Sequence, residues 1–338
     1  KTLEYIEEID SDKIVSLSDE LAIRYTDAGH ILLSKQCEVY INGGSRTRKI
    51  LFSSDLGNIS TQDTRGFVEN FKPVTSANIA IMECTYASKE RQCTKETYKK
   101  DVTKIKSVVE QYCIDNNSRV LIPSFSLDRT PYILWILYSL FGKDENFKIP
   151  ILIDSPLANR LLDCYSSILD GEKKELFDEI MSWNNIKRVI QPESSKAAIA
   201  DKSAKIILSS SGMLTAGRSV KWTQSILPNE NDCILFMGYS GENTLAWKIK
   251  YGKDHKTINI NGKPYKNKAQ IYDLKSFSSH MQRNEMLNYY KSINCEKIYL
   301  VHSDSNKIEF KHDLENAIAD CLKSTKVVAV NSGTKISL

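Results

Sequence analysis

No apolar run in this sequence approaches the roughly 18 residues needed to cross a bilayer. The most apolar stretch, Leu134 to Phe141, is far shorter, which excludes a membrane-spanning helix. The first residue is Lys1, and no basic tip, apolar centre and small-residue cleavage site follow it. A secretory signal is not read here, and a cytoplasmic location is the default expectation. A Lys start also leads to the expectation that upstream sequence is missing. Paired C-x-x-C spacing is absent among the eight cysteines, which argues against a zinc finger. Several lie in apolar runs such as Cys233-Ile234-Leu235-Phe236-Met237, so buried free thiols in a reducing compartment are expected. There is no low-complexity segment and no internal repeat. Charge of one sign is not in excess: 46 basic and 42 acidic residues leave a net +4, compatible with a polyanionic partner without requiring one. Histidine is scarce, at five.

What is present is an ordinary core-forming composition, 41% hydrophobic and 26% charged, over 338 residues. That is enough for one large domain or two ordinary ones. Short β-rich runs alternate with helical stretches, which predicts an α/β protein. The first third reads as strands: Leu21–Thr26, Cys37–Ile41, Lys49–Ser53 and Asn78–Met82, with a turn at Gly43-Gly44. The middle alternates helices near 95–114, 130–140, 157–169, 173–183 and 219–226 with strands near 119–122, 149–153, 205–209 and 233–237. That order predicts βαβ units and a parallel sheet. The last third predicts a hairpin over 256–273, helices at 283–292 and 307–322, and strands at 297–301 and 326–330. Seven lysines and a single acid, Asp254, lie between Lys248 and Lys268, with Tyr251 and Tyr265 interleaved. A solvated hairpin explains them; a phosphate-contacting edge is the alternative.

Ionisable residues sit at predicted strand ends, where α/β sheets collect their active sites. His30 follows the first long strand, Asp55 follows Ile50-Leu51-Phe52-Ser53-Ser54, and Glu83 ends Ile79-Ala80-Ile81-Met82. His302 ends Ile298-Tyr299-Leu300-Val301, and His280 lies between a strand and a helix. Taken singly, each has a plain structural explanation: a hydrogen-bonded histidine, a turn-capping Asp55, a surface-paired Glu83. Together they resemble a site.

The wording and order of these segments resemble the metallo-β-lactamase/β-CASP nucleases. Ala28-Gly29-His30 resembles that family's third metal motif, and Phe52-Ser53-Ser54-Asp55-Leu56-Gly57 its fourth. Glu83-Cys84-Thr85-Tyr86, Phe277-Ser278-Ser279-His280 and Leu300-Val301-His302 resemble motifs A, B and C. The connecting segments agree: Ile122-Pro123-Ser124-Phe125 with Arg129, Asp154-Ser155-Pro156-Leu157-Ala158, Ser211-Gly212-Met213 with Gly217-Arg218, and Gly238-Tyr239 with Thr244-Leu245. The resemblance runs from about residue 20 to the end of the sequence. There are departures. The second motif, His-x-His-x-Asp-His, does not occur. Asp128 and Asn243 stand where glycine is usual, Trp247 where a basic residue is common, and Ser303-Asp304 where Gly-Glu follows motif C.

The resemblance implies an incomplete metallo-β-lactamase αββα sandwich (1–86 and 276–338) with an inserted β-CASP α/β domain (87–275). It implies a zinc-dependent nuclease acting on single-stranded nucleic acid, RNA first with DNA as the alternative, and two zinc ions in the full-length protein. His30 and His302 would each bind a zinc, Asp55 would bridge both, and His280 would be the general acid or hold the scissile phosphate. Glu83 would orient His280; Ser278, Ser279, Arg129 and Arg218 would contact substrate. Fewer ligands are identifiable than two zinc ions need, so these 338 residues by themselves are expected to bind zinc poorly and cleave little. The alternative is a non-catalytic RNA-binding or scaffold paralogue with a degenerate metal site. Association as a homodimer stays open.

Overall fold

The computed structural model describes residues 2–44, 46–88, 93–252, 256–303, 308–322 and 324–336. The chain divides into two compact units, Lys1–Cys93 with Ser279–Leu338, and Thr94–Ser278. The first unit begins with β1 (Val15–Ser16), β2 (Leu21–Asp27), β3 (Lys35–Gly43), β4 (Arg46–Phe52) and β5 (Ser76–Glu83). The second unit then runs α1 (Lys95–Val109), β6 (Arg119–Pro123), α2 (Arg129–Phe141), β7 (Ile151–Asp154), α3 (Pro156–Ile168), α4 (Gly171–Ser182) and β8 (Ile186–Arg188). It continues with α5 (Pro192–Ala200), β9 (Lys205–Ser209), α6 (Arg218–Ile226), β10 (Cys233–Met237), α7 (Leu245–Tyr251), β11 (Thr257–Ile260), β12 (Lys263–Lys266) and β13 (Gln270–Leu274). The chain returns to the first unit with α8 (Arg283–Ser292), β14 (Asn294–Val301), α9 (Ile308–Ala319) and β15 (Lys326–Ala329).

The first unit is a mixed sheet in the order β1-β2-β3-β4-β5-β14-β15. Its first four strands pair antiparallel, and β4, β5, β14 and β15 run parallel. The β3–β4 hairpin closes at Gly43↔Arg46, beside Gly44 at φ +68°, as the paired glycines predict. One face packs on α8 and α9 through Met286, Tyr290, Leu314 and Ile318. On the other face Ile50, Ile79, Tyr299 and Val330 form a smaller cluster.

Strand direction decides where the site lies. β2 is antiparallel to β3, and β3 is antiparallel to β4, so β2 runs the same way as β4, β5 and β14. One row crosses the sheet in register: Tyr25, Cys37, Phe52, Ile81 and Tyr299. His30, Asp55, Glu83 and His302 each lie two to five residues beyond that row. Four carboxyl ends therefore open onto one edge.

The second unit is a parallel sheet in the order β13-β10-β6-β9-β7-β8, with β11 and β12 as a separate hairpin. Every residue of β6, β7, β9 and β10 is buried. Both faces of such a sheet are covered, so its strands read as unbroken apolar runs rather than alternating ones. Helix starts are marked chemically. Thr94 and Thr97 form a capping box for α1. Ser155 accepts from the Ala158 N–H ahead of α3, with Pro156 in its first turn.

Three local differences from the sequence reading have physical causes. The hairpin predicted over 256–273 is confined to β11 and β12, while β13 pairs in parallel with β10, Cys233↔Gln270 to Met237↔Leu274. Ile271 and Leu274 are buried there, and a two-stranded hairpin could not have covered them. The predicted helix 95–114 ends in a π turn over Glu110–Asp115. α5 and α7 carry too little apolar periodicity to be seen: α5 buries Ser195, and α7 has seven residues.

Candidate metal and hydrolytic site

Two glycines let the site loops meet. Gly29, at φ +71°, precedes His30, and Gly57 follows Asp55 by two residues. Gly57 N–H donates to the Ala28 carbonyl at 2.8 Å, and a Cβ on Gly57 would lie 1.9 Å from the Gly29 carbonyl oxygen. The same loop is stitched to the histidine segment before α8. Asn58 N–H donates to Ser279 O at 3.0 Å, Met281 N–H to Leu56 O at 2.7 Å, and Gly57 and His280 form a lone antiparallel bridge.

These constraints bring three imidazoles and a carboxylate together. His30 Nε2 is 3.8 Å from Asp55 Oδ2, and His302 Nδ1 is 2.9 Å from Asp55 Oδ1. The His30 and His280 rings lie 4.4 Å apart, and His280 and His302 6.2 Å apart. Donor atoms of His30, Asp55 and His280 all fall within 4.8 Å of one another, the one such group among the described residues. Imidazole nitrogen and carboxylate oxygen are zinc donors. Neutral imidazoles gain little from facing each other, so a cation at their centre fits this set. The side chains of Asp55 and His302 are 42% and 58% exposed, which leaves the site open to a reactant.

Glu83 stands behind the cluster, buried at 1% exposure. Its Oε1 meets His280 Nδ1 at 3.2 Å and the Leu56 N–H at 2.9 Å, and its Oε2 accepts from the Thr85 N–H at 2.9 Å. Burial pushes this carboxyl up, but the His280 contact and these donors outweigh it and hold it below the usual carboxylate range. Glu83 and His280 are thus in direct contact behind the cluster. Tyr290 Oη donates to the Glu83 carbonyl at 2.5 Å, and the Tyr86 ring meets His280 edge-on at 5.4 Å.

The remaining candidates are placed differently. Ser278 and Ser279 are buried beside His280 in sequence, at 6% exposure each. In the second unit, Arg129 Nη1 donates to the Phe277 carbonyl. Arg218 Nη1 donates to Asp154 Oδ1 at 2.6 Å and to Val189 O at 2.9 Å, and Nη2 to Ile190 O at 2.6 Å. Asp154, fully buried, also accepts from Ser195 Oγ and Trp222 Nε1 at 2.7 Å. Two sequence motifs, Asp154-Ser155-Pro156 and Gly217-Arg218, are thus halves of one buried ion pair. In the lysine-rich stretch, 253–255 lie outside the described residues, as does Asp304. Lys250 is buried against Gly238 O and Asp273. At the carboxyl ends of β6 and β10, Phe125 and Tyr239 are 47% and 43% exposed. None of the eight cysteines forms a disulfide, and burial pushes the Cys84 and Cys113 thiols up to about 12. Such buried thiols pack as small apolar groups, whereas Cys164 and Cys321 are exposed.

The sequence reading did not single out Thr85, whose hydroxyl lies 3.2 Å from His302 Nδ1, or the Leu56 N–H that anchors Glu83. A backbone donor leaves no compositional trace. Thr85 was visible only as part of Glu83-Cys84-Thr85-Tyr86.

A family model described as the Beta-Casp domain matches residues 130–249, and one described as the Zn-dependent metallo-hydrolase RNA specificity domain matches 264–318. The chain is 25% identical over 311 residues to transcription termination factor FttA of Methanocaldococcus jannaschii, covering 88% of this chain and 48% of that protein. It is 25% identical over 294 residues to ribonuclease TTHA0252 of Thermus thermophilus, covering 85% and 64%. It is 27% identical over 333 residues to RNase aCSPSF2 of Saccharolobus solfataricus, covering 95% and 59%. The chain spans about half to two thirds of the length of these curated relatives. No helix among the described residues is long and apolar enough to cross a membrane. With two domain models matched in order over about half of the sequence, and relatives that cover most of it, the chain belongs to the metallo-β-lactamase/β-CASP family.

Proposed function

We propose that the strand-end cluster of the first unit is the zinc centre of a hydrolase that cleaves phosphodiester bonds of single-stranded RNA. The observation that carries this reading is the convergence of His30, Asp55, His280 and His302, with buried Glu83 behind His280. His30 and His302 would each hold a zinc ion. Asp55 would give an oxygen to the zinc beside His30, its other oxygen lying 2.9 Å from His302 Nδ1. When bound, zinc supplies Lewis acidity toward the phosphate and lowers the pKa of the attacking water.

The protein's own groups supply the rest. Glu83 would accept from His280 Nδ1–H, which directs Nε2 toward the reactant. His280 then holds the scissile phosphate or gives a proton from Nε2 to the leaving oxygen. In the second unit, the exposed Phe125 and Tyr239 suit stacking by unpaired bases; Ser278 of that unit and Ser279 of the first would hydrogen-bond phosphate. RNA is preferred over DNA because two of the relatives above are named as RNases and one matched model as an RNA specificity domain.

The test uses the natural protein, with its zinc content measured alongside cleavage of a single-stranded RNA oligonucleotide. Bound zinc with cleavage that Asp55→Ala and His280→Ala abolish supports the proposal. RNA binding with neither zinc nor cleavage would establish the non-catalytic RNA-binding alternative.

A further inference from the structure

Thr85 lies two residues past Glu83, in the loop leaving β5. Backbone pairing brings it to His302. Val301 is in register with Glu83, and Cys84 N–H continues the ladder to the Val301 carbonyl at 2.8 Å. The Thr85 hydroxyl then lies 3.2 Å from His302 Nδ1 and 3.3 Å from the His302 carbonyl oxygen. A hydroxyl has one proton to donate and two lone pairs. The carbonyl can only accept, so the proton goes there, and the hydroxyl in turn accepts from Nδ1–H. Asp55 Oδ1, 2.9 Å from the same nitrogen, is a second acceptor. Both neighbours call for a protonated Nδ1, which leaves Nε2 with the free lone pair.

Among the described residues, the His302 ring also meets the His280 ring at 6.2 Å. The His302 side chain is 58% exposed, and its backbone sits at φ +54°, uncommon for a residue with a side chain. We propose that Thr85 is the positioning residue for His302: its hydroxyl fixes the ring and its tautomer so that Nε2 is the nitrogen offered to a divalent ion. The Thr85 N–H also binds Glu83 Oε2, so one residue steadies both His302 and the partner of His280. This inference rests on the metal-hydrolase reading above.

The experiment titrates zinc into metal-free natural protein and into its Thr85→Val, Thr85→Ala and Thr85→Ser variants, and measures kcat and KM on an RNA oligonucleotide. Valine keeps the shape without the hydroxyl; serine keeps the hydroxyl. Thr85→Val is expected to weaken zinc binding about 10–100-fold, the range typical of a lost outer hydrogen bond. It should lower kcat more than it raises KM, with an unchanged thermal unfolding temperature. Thr85→Ser should restore zinc affinity and kcat, and Thr85→Ala carries the same comparison if the valine variant does not fold. Wild-type zinc uptake with equal uptake by the hydroxyl-free variants overturns this inference alone, as does a serine variant as weak as valine. Wild-type protein that takes up no zinc overturns the hydrolase reading and this inference with it.

Discussion

The Cβ that Gly57 lacks would sit 1.9 Å from the carbonyl oxygen of Gly29, so the loop carrying Asp55 touches the loop carrying His30 backbone to backbone. Neither atom belongs to a flexible side chain that could swing aside. Gly57→Ala must therefore push the two loops apart. Overpacking of this kind costs about 1–3 kcal/mol, and zinc content should fall with it. Urea unfolding beside metal analysis checks this; an unchanged midpoint with full metal content would show that the loops relax around the methyl group.

Replacing Glu83 with Gln keeps its volume and removes the charge that orients His280. On the proposed mechanism kcat should fall about 10–100-fold, with KM for RNA little changed. Steady-state kinetics decide it. A rise in KM at constant kcat would assign Glu83 to substrate binding instead.

Arg218 and Asp154 form a pair whose side chains are 14% and 0% exposed. Arg218→Ala strands a buried carboxylate, and breaking such a pair costs about 3–5 kcal/mol. Adding Asp154→Asn should then cost less than the sum of the single changes. Denaturant unfolding of both variants measures this. Unchanged stability with weakened RNA affinity would return Arg218 to the role of a direct RNA contact.

Glu38, buried in β3, binds Arg24 Nε at 2.7 Å and Lys49 Nζ at 2.8 Å. Burial pushes its carboxyl up, but the hydrogen bonds from Arg24 and Lys49 outweigh it and hold the group below the usual carboxylate range. A carboxyl lowered on folding binds its proton more readily when unfolded. Its contribution is thus complete above the unfolded value of about 4.3 and is lost as pH falls through the folded one. Unfolding measured from pH 6 down to about pH 2 should show a steep acid limb in the wild type and a shallower one in Glu38→Gln. Parallel limbs would remove Glu38 as a cause.

Phe125→Ala and Tyr239→Ala should each weaken single-stranded RNA binding by about 1–3 kcal/mol, the worth of one stacked base. Fluorescence anisotropy on a short oligonucleotide reads this directly. Affinity equal to wild type would place the RNA path elsewhere.

The sequence alone carried the strand runs, the parallel order of the second unit and the five ionisable residues at strand ends. Those features are local: an unbroken apolar run such as Cys233–Met237 declares a strand covered on both faces, whatever surrounds it. The sequence could not say that Tyr25, Phe52, Ile81 and Tyr299 share one row, because register depends on pairing between strands far apart in the chain. That row brings His30, Asp55, Glu83 and His302 to a common edge. Nor could it say that Arg218 is committed to Asp154, 64 residues away, or that Thr85 faces His302, 217 residues away. A side chain's hydrogen-bond partner is chosen by what packing leaves within reach. The residue types able to do the chemistry are written in the sequence; which of them meet was decided by the tertiary structure.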